Sequence, residues 1–207
     1  MTTHVVTVPS KTSISDAKRI MEAHRFERLP VVDNGKLVGI VTARRLESVS
    51  PSKATSLTIW ELTYLLQTTP VKEIMEKKVM TTTPDSTVEE AVTLAQLSKV
   101  GALVVLKDKK VVGIVTTNDL FYKIINPILG VGAKGTRLEI ARAGNAKSIE
   151  KITAALNELK MELLTIHIEI LPGLKDKNIC LHVDSADVSK LVTKLEAGGF
   201  KVTMRKR

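Results

Sequence analysis

GIVTARRL at residues 39–46 is written again as GIVTTNDL at residues 113–120. The two stretches differ only at three adjacent positions, where Ala43, Arg44 and Arg45 become Thr117, Asn118 and Asp119. Carried outward, this displacement of 74 residues (113 − 39) aligns residues 1–46 with 75–120 without an insertion. Met1 falls on Met75, Val5 on Val79, Thr7 on Thr81, Ala17 on Ala91, Leu29 on Leu103 and Val31 on Val105. A register held this long identifies two copies of one supersecondary unit.

Each copy predicts the order β-α-β-β-α. A short strand (Val5–Val8; Val79–Thr82) runs into a polar turn containing Pro9 or Pro84. Ser13 and Thr87 then suit a helix N-cap, with Asp16 and Glu90 three residues on as in a capping box. The helix carries an apolar stripe at Ile14, Ala17, Ile20 and Met21, and at Val88, Ala91, Leu94 and Ala95. Two β-branched strands follow, Leu29–Val32 with Leu37–Thr42 and Ala102–Leu106 with Val111–Thr116. Asp33-Asn34-Gly35 and Lys107-Asp108-Lys109 make the hairpin turns. A second helix begins near Ala43 or Thr117.

The repeated tip has a chemistry of its own. A threonine that ends a strand just before a helix sets a hydroxyl beside unpaired backbone N–H groups, a ready site for an anion. An ionised aspartate three positions on accepts only, and can take two O–H bonds from a ribose diol. Thr116 and Asp119 supply that pair in the second copy. The first copy keeps Thr42 but has Arg45 in place of Asp119, and a guanidinium has no acceptor lone pair. A tight strand-to-helix turn that binds nothing is the alternative.

The motifs VVTVPSKTSISDA, LPVVDNGK and GIVTARRL, repeated as VMTTTPDSTVEEA, LVVLKDKK and GIVTTNDL, resemble the CBS domain. That resemblance implies two copies packed about a pseudo-two-fold, with adenosine-bearing ligands in the clefts between them. Thr116 would meet ribose or phosphate, Asp119 the diol, and Asn118 would stand beside them. Thr82, Thr83 and the backbone of Ala102, Leu103 and Val104 would line the adenine slot. Arg28, Thr42, Arg44 and Arg45 of the first copy become candidate phosphate contacts, so that two equal sites turn into one asymmetric site.

Residues 47–70 join the copies, with Thr55 or Ser56 as cap of a helix running through Gln67. Trp60 and Tyr64 lie one turn apart on one face of it, as core residues or as a subunit interface. Residues 71–126 hold the second copy, and NPILGVGAKG, with glycines at 130, 132 and 135, makes 127–135 a linker and a candidate hinge.

Residues 136–207 read βαββαβ, an antiparallel sheet with both helices on one face. The strands are marked by Leu138 and Ile140, Leu164 to Ile170, Ile179 to Val183, and Phe200 to Met204. The helices follow Asn145 and span 185–197, ending at Gly198-Gly199. The tract is similar to an ACT domain of ferredoxin-like fold, a family that often binds amino acids at subunit interfaces. Gly144 and Asn145 occupy its ligand loop, although the family's Asp-x-Pro-Gly is Arg142-Ala143-Gly144-Asn145 here, which leaves a purely structural loop open. His167, Cys180 and His182 share the sheet face away from the helices and suit zinc. That face also carries Arg137, Glu139, Thr165, Glu169, Lys201 and Thr203, so polar surface accounts for them and no metal is assigned.

The expected fold class is thus α+β, two CBS-type repeats and one ACT-type domain, and the architecture resembles the acetoin-utilisation AcuB group. Net charge is +9 over 207 residues, which favours anionic partners. No helix-turn-helix, zinc-finger or RNA-binding signature accompanies it, so nucleic acid is disfavoured. One cysteine excludes an internal disulfide, and no apolar run approaches bilayer length, so a cytoplasmic location is expected. Neither a nucleophile–base pair nor a glycine-rich phosphate loop is present, which points away from an enzyme. The reading is a homodimeric regulator that senses AMP, ADP, ATP or S-adenosylmethionine and acts on another protein. Its alternatives are amino-acid sensing through the ACT-like domain and a DNA-associated regulator.

Overall fold

The computed structural model describes residues 1–49, 58–170 and 176–205, in two compact units, Met1–Leu120 and Phe121–Arg207. The first unit runs α1 (Ile14–His24), β1 (Arg28–Asp33), β2 (Lys36–Thr42), α2 (Ala43–Ser48), α3 (Ile59–Thr68), β3 (Thr81–Thr82), α4 (Val88–Leu97), β4 (Ala102–Lys107), β5 (Lys110–Thr116) and α5 (Thr117–Leu120).

The repeat survives in three dimensions. The hairpin β1–β2 pairs Arg28 with Thr42 and Asp33 with Lys36, and β4–β5 pairs Ala102 with Thr116 and Lys107 with Lys110. Both ladders slip by one residue at matching places, after Val31 and after Val105. Both turns need positive φ at two positions, met by Asn34 and Gly35 in one and by Asp108 and Lys109 in the other. Of the strands expected at the head of each copy, only Thr81–Thr82 is laddered, parallel to β4; in the first copy Val8 makes a single bridge to Val31.

The copies exchange their opening residues. Thr2 and Ile114 trade both backbone hydrogen bonds, at 2.9 and 3.0 Å, and Glu76 and Ile40 do the same, at 2.9 and 2.9 Å. Residues 2 and 76, like 40 and 114, are 74 apart, so each copy's opening residues make one bridge to the hairpin of the other. Gly39 and Gly113 explain how it fits. A Cβ on Gly39 would lie 2.5 Å from the Met75 sulfur, and one on Gly113 would lie 2.7 Å from that of Met1.

Capping follows the sequence with one difference. Thr87 and Glu90 form the full reciprocal box, whereas Asp16, one methylene shorter than glutamate, accepts from the Ser13 hydroxyl at 2.9 Å. The caps proposed at Thr55 and Ser56 lie outside the described residues; α3 is capped by Thr58 with Glu61. Its Trp60 and Tyr64 are not core: they are 85% and 66% exposed, because α3 turns its Leu66 side toward the first copy's core instead. That core gathers Ile14, Ala17, Met21, Leu29, Val31, Val41, Leu46 and Val71. Thr69 O accepts from Ile14 N at 2.9 Å and draws α3 onto α1. Among the described residues α4 has no such cover, and Val88, read as part of its apolar stripe, is 43% exposed.

The second unit opens with a π-helical turn (Phe121–Ile125) and α6 (Asn126–Leu129). β6 (Thr136–Ala141), α7 (Ala146–Glu158), β7 (Leu163–Ile170), β8 (Lys177–Val183), α8 (Ser189–Ala197) and β9 (Lys201–Arg205) follow. The sheet has the order β7-β8-β6-β9 and is antiparallel throughout. Leu138, Ile140, Ile179, Leu181 and Val183 pack against Ile152, Leu156, Leu191 and Leu195 of α7 and α8, as the alternation required.

The opposite face is not open polar surface along its whole length. The segment expected to be a linker lies on it: His182 is fully buried, its Nε2 is 2.9 Å from Lys134 O, and Gly130 packs on its ring. Arg137 donates to Leu129 O. The glycines at 130, 132 and 135 hold φ of 61°, 88° and 101° and turn this cover onto the sheet.

Candidate ligand site

β5 ends at Thr116, and the chain enters α5 through a closed set of bonds. Thr116 N donates to Asp119 Oδ2 at 3.0 Å, the Thr116 hydroxyl donates to the same oxygen at 3.0 Å, and Asp119 N donates back to Thr116 Oγ1 at 3.2 Å. The Thr2 hydroxyl, brought in by the strand exchange, donates to Asp119 Oδ1 at 3.1 Å. Asp119 is 7% exposed. The carboxylate therefore does not stand open to solvent; it already organises the tip on which it sits.

The first copy's tip is built the same way with opposite charge. Thr42 accepts from Arg45 N at 3.2 Å, and Arg44 and Arg45 point into solvent. Glu76 holds the place that Thr2 holds in the other copy, so both members of the corner are changed together: Thr2 with Asp119 on one side, Glu76 with Arg45 on the other.

Of the three arginines that are candidate phosphate contacts, Arg28 approaches the second copy. A Cβ on Gly101 would fall 2.6 Å from Arg28 Nη2 and 3.7 Å from the Thr117 hydroxyl. Thr117 is fixed there by N and Oγ1 bonds to Gly101 O at 3.2 and 3.3 Å. Arg28 also meets Glu27 at 3.3 Å, which keeps one end of the guanidinium engaged. Around this cation the ladder sets Ala102 opposite Thr116 and, one strand further, Val104 beside Thr81 and Val105 beside Thr82. Thr83 is exposed and hydrogen-bonded to Ser86 at 3.1 Å, Asn118 is exposed, and Leu103 and Val104 are buried. Thr2 and Gly101 were missing from the sequence reading. Gly101 leaves a signal, because glycine there, opposite Glu27 in the other copy, is what admits the arginine.

In the second unit, Gly144 is approached by the protein itself. Its N–H donates to Lys177 O at 2.9 Å, and a Cβ there would lie 2.3 Å from that of Lys177. Asn145 caps α7 by accepting from Ser148 N at 3.0 Å. His167 and Cys180 do come together, joined by Glu169 rather than by His182, with ligand atoms within 4.8 Å of one another. The surroundings oppose a cation. Burial pushes the Cys180 thiol up. Arg205 bonds Glu139 at 2.8 Å, holding that carboxyl below its usual range, and lies 3.5 Å from Glu169.

No helix among the described residues is long and apolar enough to cross a membrane. The CBS domain family model matches residues 1–50 and 71–126. The inosine-5'-monophosphate dehydrogenase of Methanocaldococcus jannaschii is 30% identical over 164 residues, 78% of this chain but 30% of that enzyme. A CBS domain-containing protein of Dictyostelium discoideum is 32% identical over 133 residues, 62% of this chain and 92% of its own length. Among solved structures, one described as an acetoin utilization protein (AcuB) from Vibrio cholerae is 33% identical, with a TM-score of 0.51. That similarity covers 61% of this chain and 87% of that one. With both copies matched, and the same register visible in both ladders, the chain belongs to the CBS domain family.

Proposed function

We propose that this protein is a regulatory sensor of adenine nucleotides, with one nucleotide site at the second copy's tip. The observation that carries this reading is the approach of Arg28 to Gly101 of the second copy, the residue whose carbonyl oxygen holds Thr117, next in sequence to Thr116. In this reading the Asp119 carboxylate would take the ribose diol, the Thr116 hydroxyl would lie beside it, and Arg28 would take the phosphates. The diol would exchange with the Thr2 hydroxyl at Asp119, and Thr82, Thr83 and the Ala102–Val104 backbone would flank the base. Arg45 in the first copy offers no acceptor, so one nucleotide per chain is the expected stoichiometry. AMP, ADP, ATP and S-adenosylmethionine all present the required adenosine. Ligand that touches both copies favours the arrangement it fits best, and this shift is the signal passed to a regulated protein. The likeness to the Vibrio cholerae protein supports a role in acetoin utilisation.

Titration calorimetry with AMP and with adenosine tests the division of labour. Arg28→Ala weakens AMP about tenfold or more, the value of one charge-assisted contact, and leaves adenosine within about twofold. Equal losses for both ligands would remove Arg28 from the phosphate.

The second unit's strand order and helix placement support an ACT-like, ferredoxin-type domain. Because Lys177 fills the approach to Gly144, we place the sensing role in the first unit. We also infer a homodimer formed through α3, on which Ile59, Trp60, Tyr64 and Leu65 are all exposed apolar side chains. Trp60→Glu then converts the dimer to monomer in sedimentation velocity, and a wild-type chain that sediments as a monomer would refute it.

A further inference from the structure

The first unit has a second place where charge accumulates, at the far end of the strands from Asp119. A cleft of about 360 Å³ is lined by Lys36 and Leu37 at the head of β2, Lys77 and Val79 ahead of β3, and Leu106 and Lys109 at the β4–β5 hairpin. Its volume is that of a small-molecule site. β5 spans seven residues between this hairpin and Thr116, a separation of about 20 Å.

The duplication provides an internal control. Moving each lining residue by 74 gives the corresponding positions of the other copy. Leu37, Val79 and Leu106 become Val111, Val5 and Val32, so the apolar floor is kept. Lys36 becomes Lys110, but Lys77 becomes Thr3 and Lys109 becomes Gly35. One of two equivalent positions in the fold has therefore gathered three lysines where the other has one.

Two further features mark this charge. Lys109 sits at φ 64°, the left-handed region, where its counterpart is a glycine at φ 75°. Among the described residues none of Lys36, Lys77 and Lys109 forms an ion pair, and the nearby Asp33 accepts from Ser10 N at 2.9 Å. Three exposed lysines around one apolar floor favour an anion there over a cation.

We propose that this cleft is a second binding site, for a small organic molecule that carries at least two phosphate or carboxylate charges. The ammonium groups would hold the charges while Leu37, Val79 and Leu106 receive the carbon skeleton. Point-charge lysines tolerate either kind of anion, unlike a guanidinium fork.

Calorimetric titration of the full chain with inorganic pyrophosphate and with citrate, at fixed ionic strength, tests it. The variants are the pair Lys77→Thr with Lys109→Gly, which restores the residues of the other copy and removes a side chain from a positive-φ position, and separately Arg28→Ala. The expected result is binding of at least one anion, weakened tenfold or more in the lysine pair and unchanged in Arg28→Ala. Stronger pyrophosphate binding identifies a phosphorylated ligand, and stronger citrate binding a polycarboxylate. Failure of both anions to bind the wild-type chain, equal affinity in the lysine pair, or loss only in Arg28→Ala overturns the proposal.

Discussion

Asp119→Ala weakens adenine-nucleotide binding by at least about a hundredfold, the largest functional change expected from a single substitution here. A hydrogen bond to a charged group contributes about 1.5–3 kcal/mol, and a diol makes two of them. Together they come to roughly 3–6 kcal/mol, and about 1.4 kcal/mol is a factor of ten. The substitution also takes away the acceptor for Thr116 N and for the Thr2 hydroxyl. The unliganded protein should therefore lose about 1–3 kcal/mol as well, the usual cost of leaving a buried hydrogen-bonding group without its partner. Affinity measured directly by calorimetry separates the two effects, because the folded fraction can be verified beforehand. An unchanged dissociation constant in folded Asp119→Ala protein would end the assignment.

Gly135→Ala is expected to be the most damaging substitution in the second unit. Gly135 holds φ 101°, outside the range that a side chain tolerates at low cost, and its Cβ would lie 2.1 Å from Val183 O. Neither neighbour can yield cheaply. Thr136, the next residue, pairs with Val183 at the start of β6, so displacing one backbone displaces the ladder. Backbone strain of about 1–3 kcal/mol and a similar overpacking term together give a loss of roughly 3 kcal/mol or more. Urea unfolding would read this as a lower midpoint. Nucleotide affinity should stay at the wild-type value, since the proposed site lies within residues 1–120. A midpoint equal to that of wild type would mean that β6 and β8 can part at this point without cost.

Much of this architecture is written locally. The β-branched runs, the Asn34-Gly35 turn and the Thr87–Glu90 box each follow from residues close in sequence, so the repeat and its element order could be read directly. What could not be read depends on distant partners. Helical spacing puts Trp60 and Tyr64 on one face but does not say whether another element covers that face. Alternation puts His182 on the side away from the helices, yet its burial comes from the turn at residues 130–134, whose glycines resemble those of any flexible connection. Arg28 is legible as a charge next to a strand; that it reaches Gly101 depends on how the two copies meet. The buried state of Asp119 was missed for the same reason, because Thr2 lies 117 residues away.

The traded strips at Thr2 and Glu76 make the pair, not the repeat, the smallest heritable part of this protein. Either half alone would keep its own helix and hairpin but leave the amide and carbonyl of Ile40 or of Ile114 without their partner in the other copy. A single copy by itself would have to meet its twin in a second molecule. Within one chain that encounter is intramolecular, and the two tips carry opposite charges at Arg45 and Asp119.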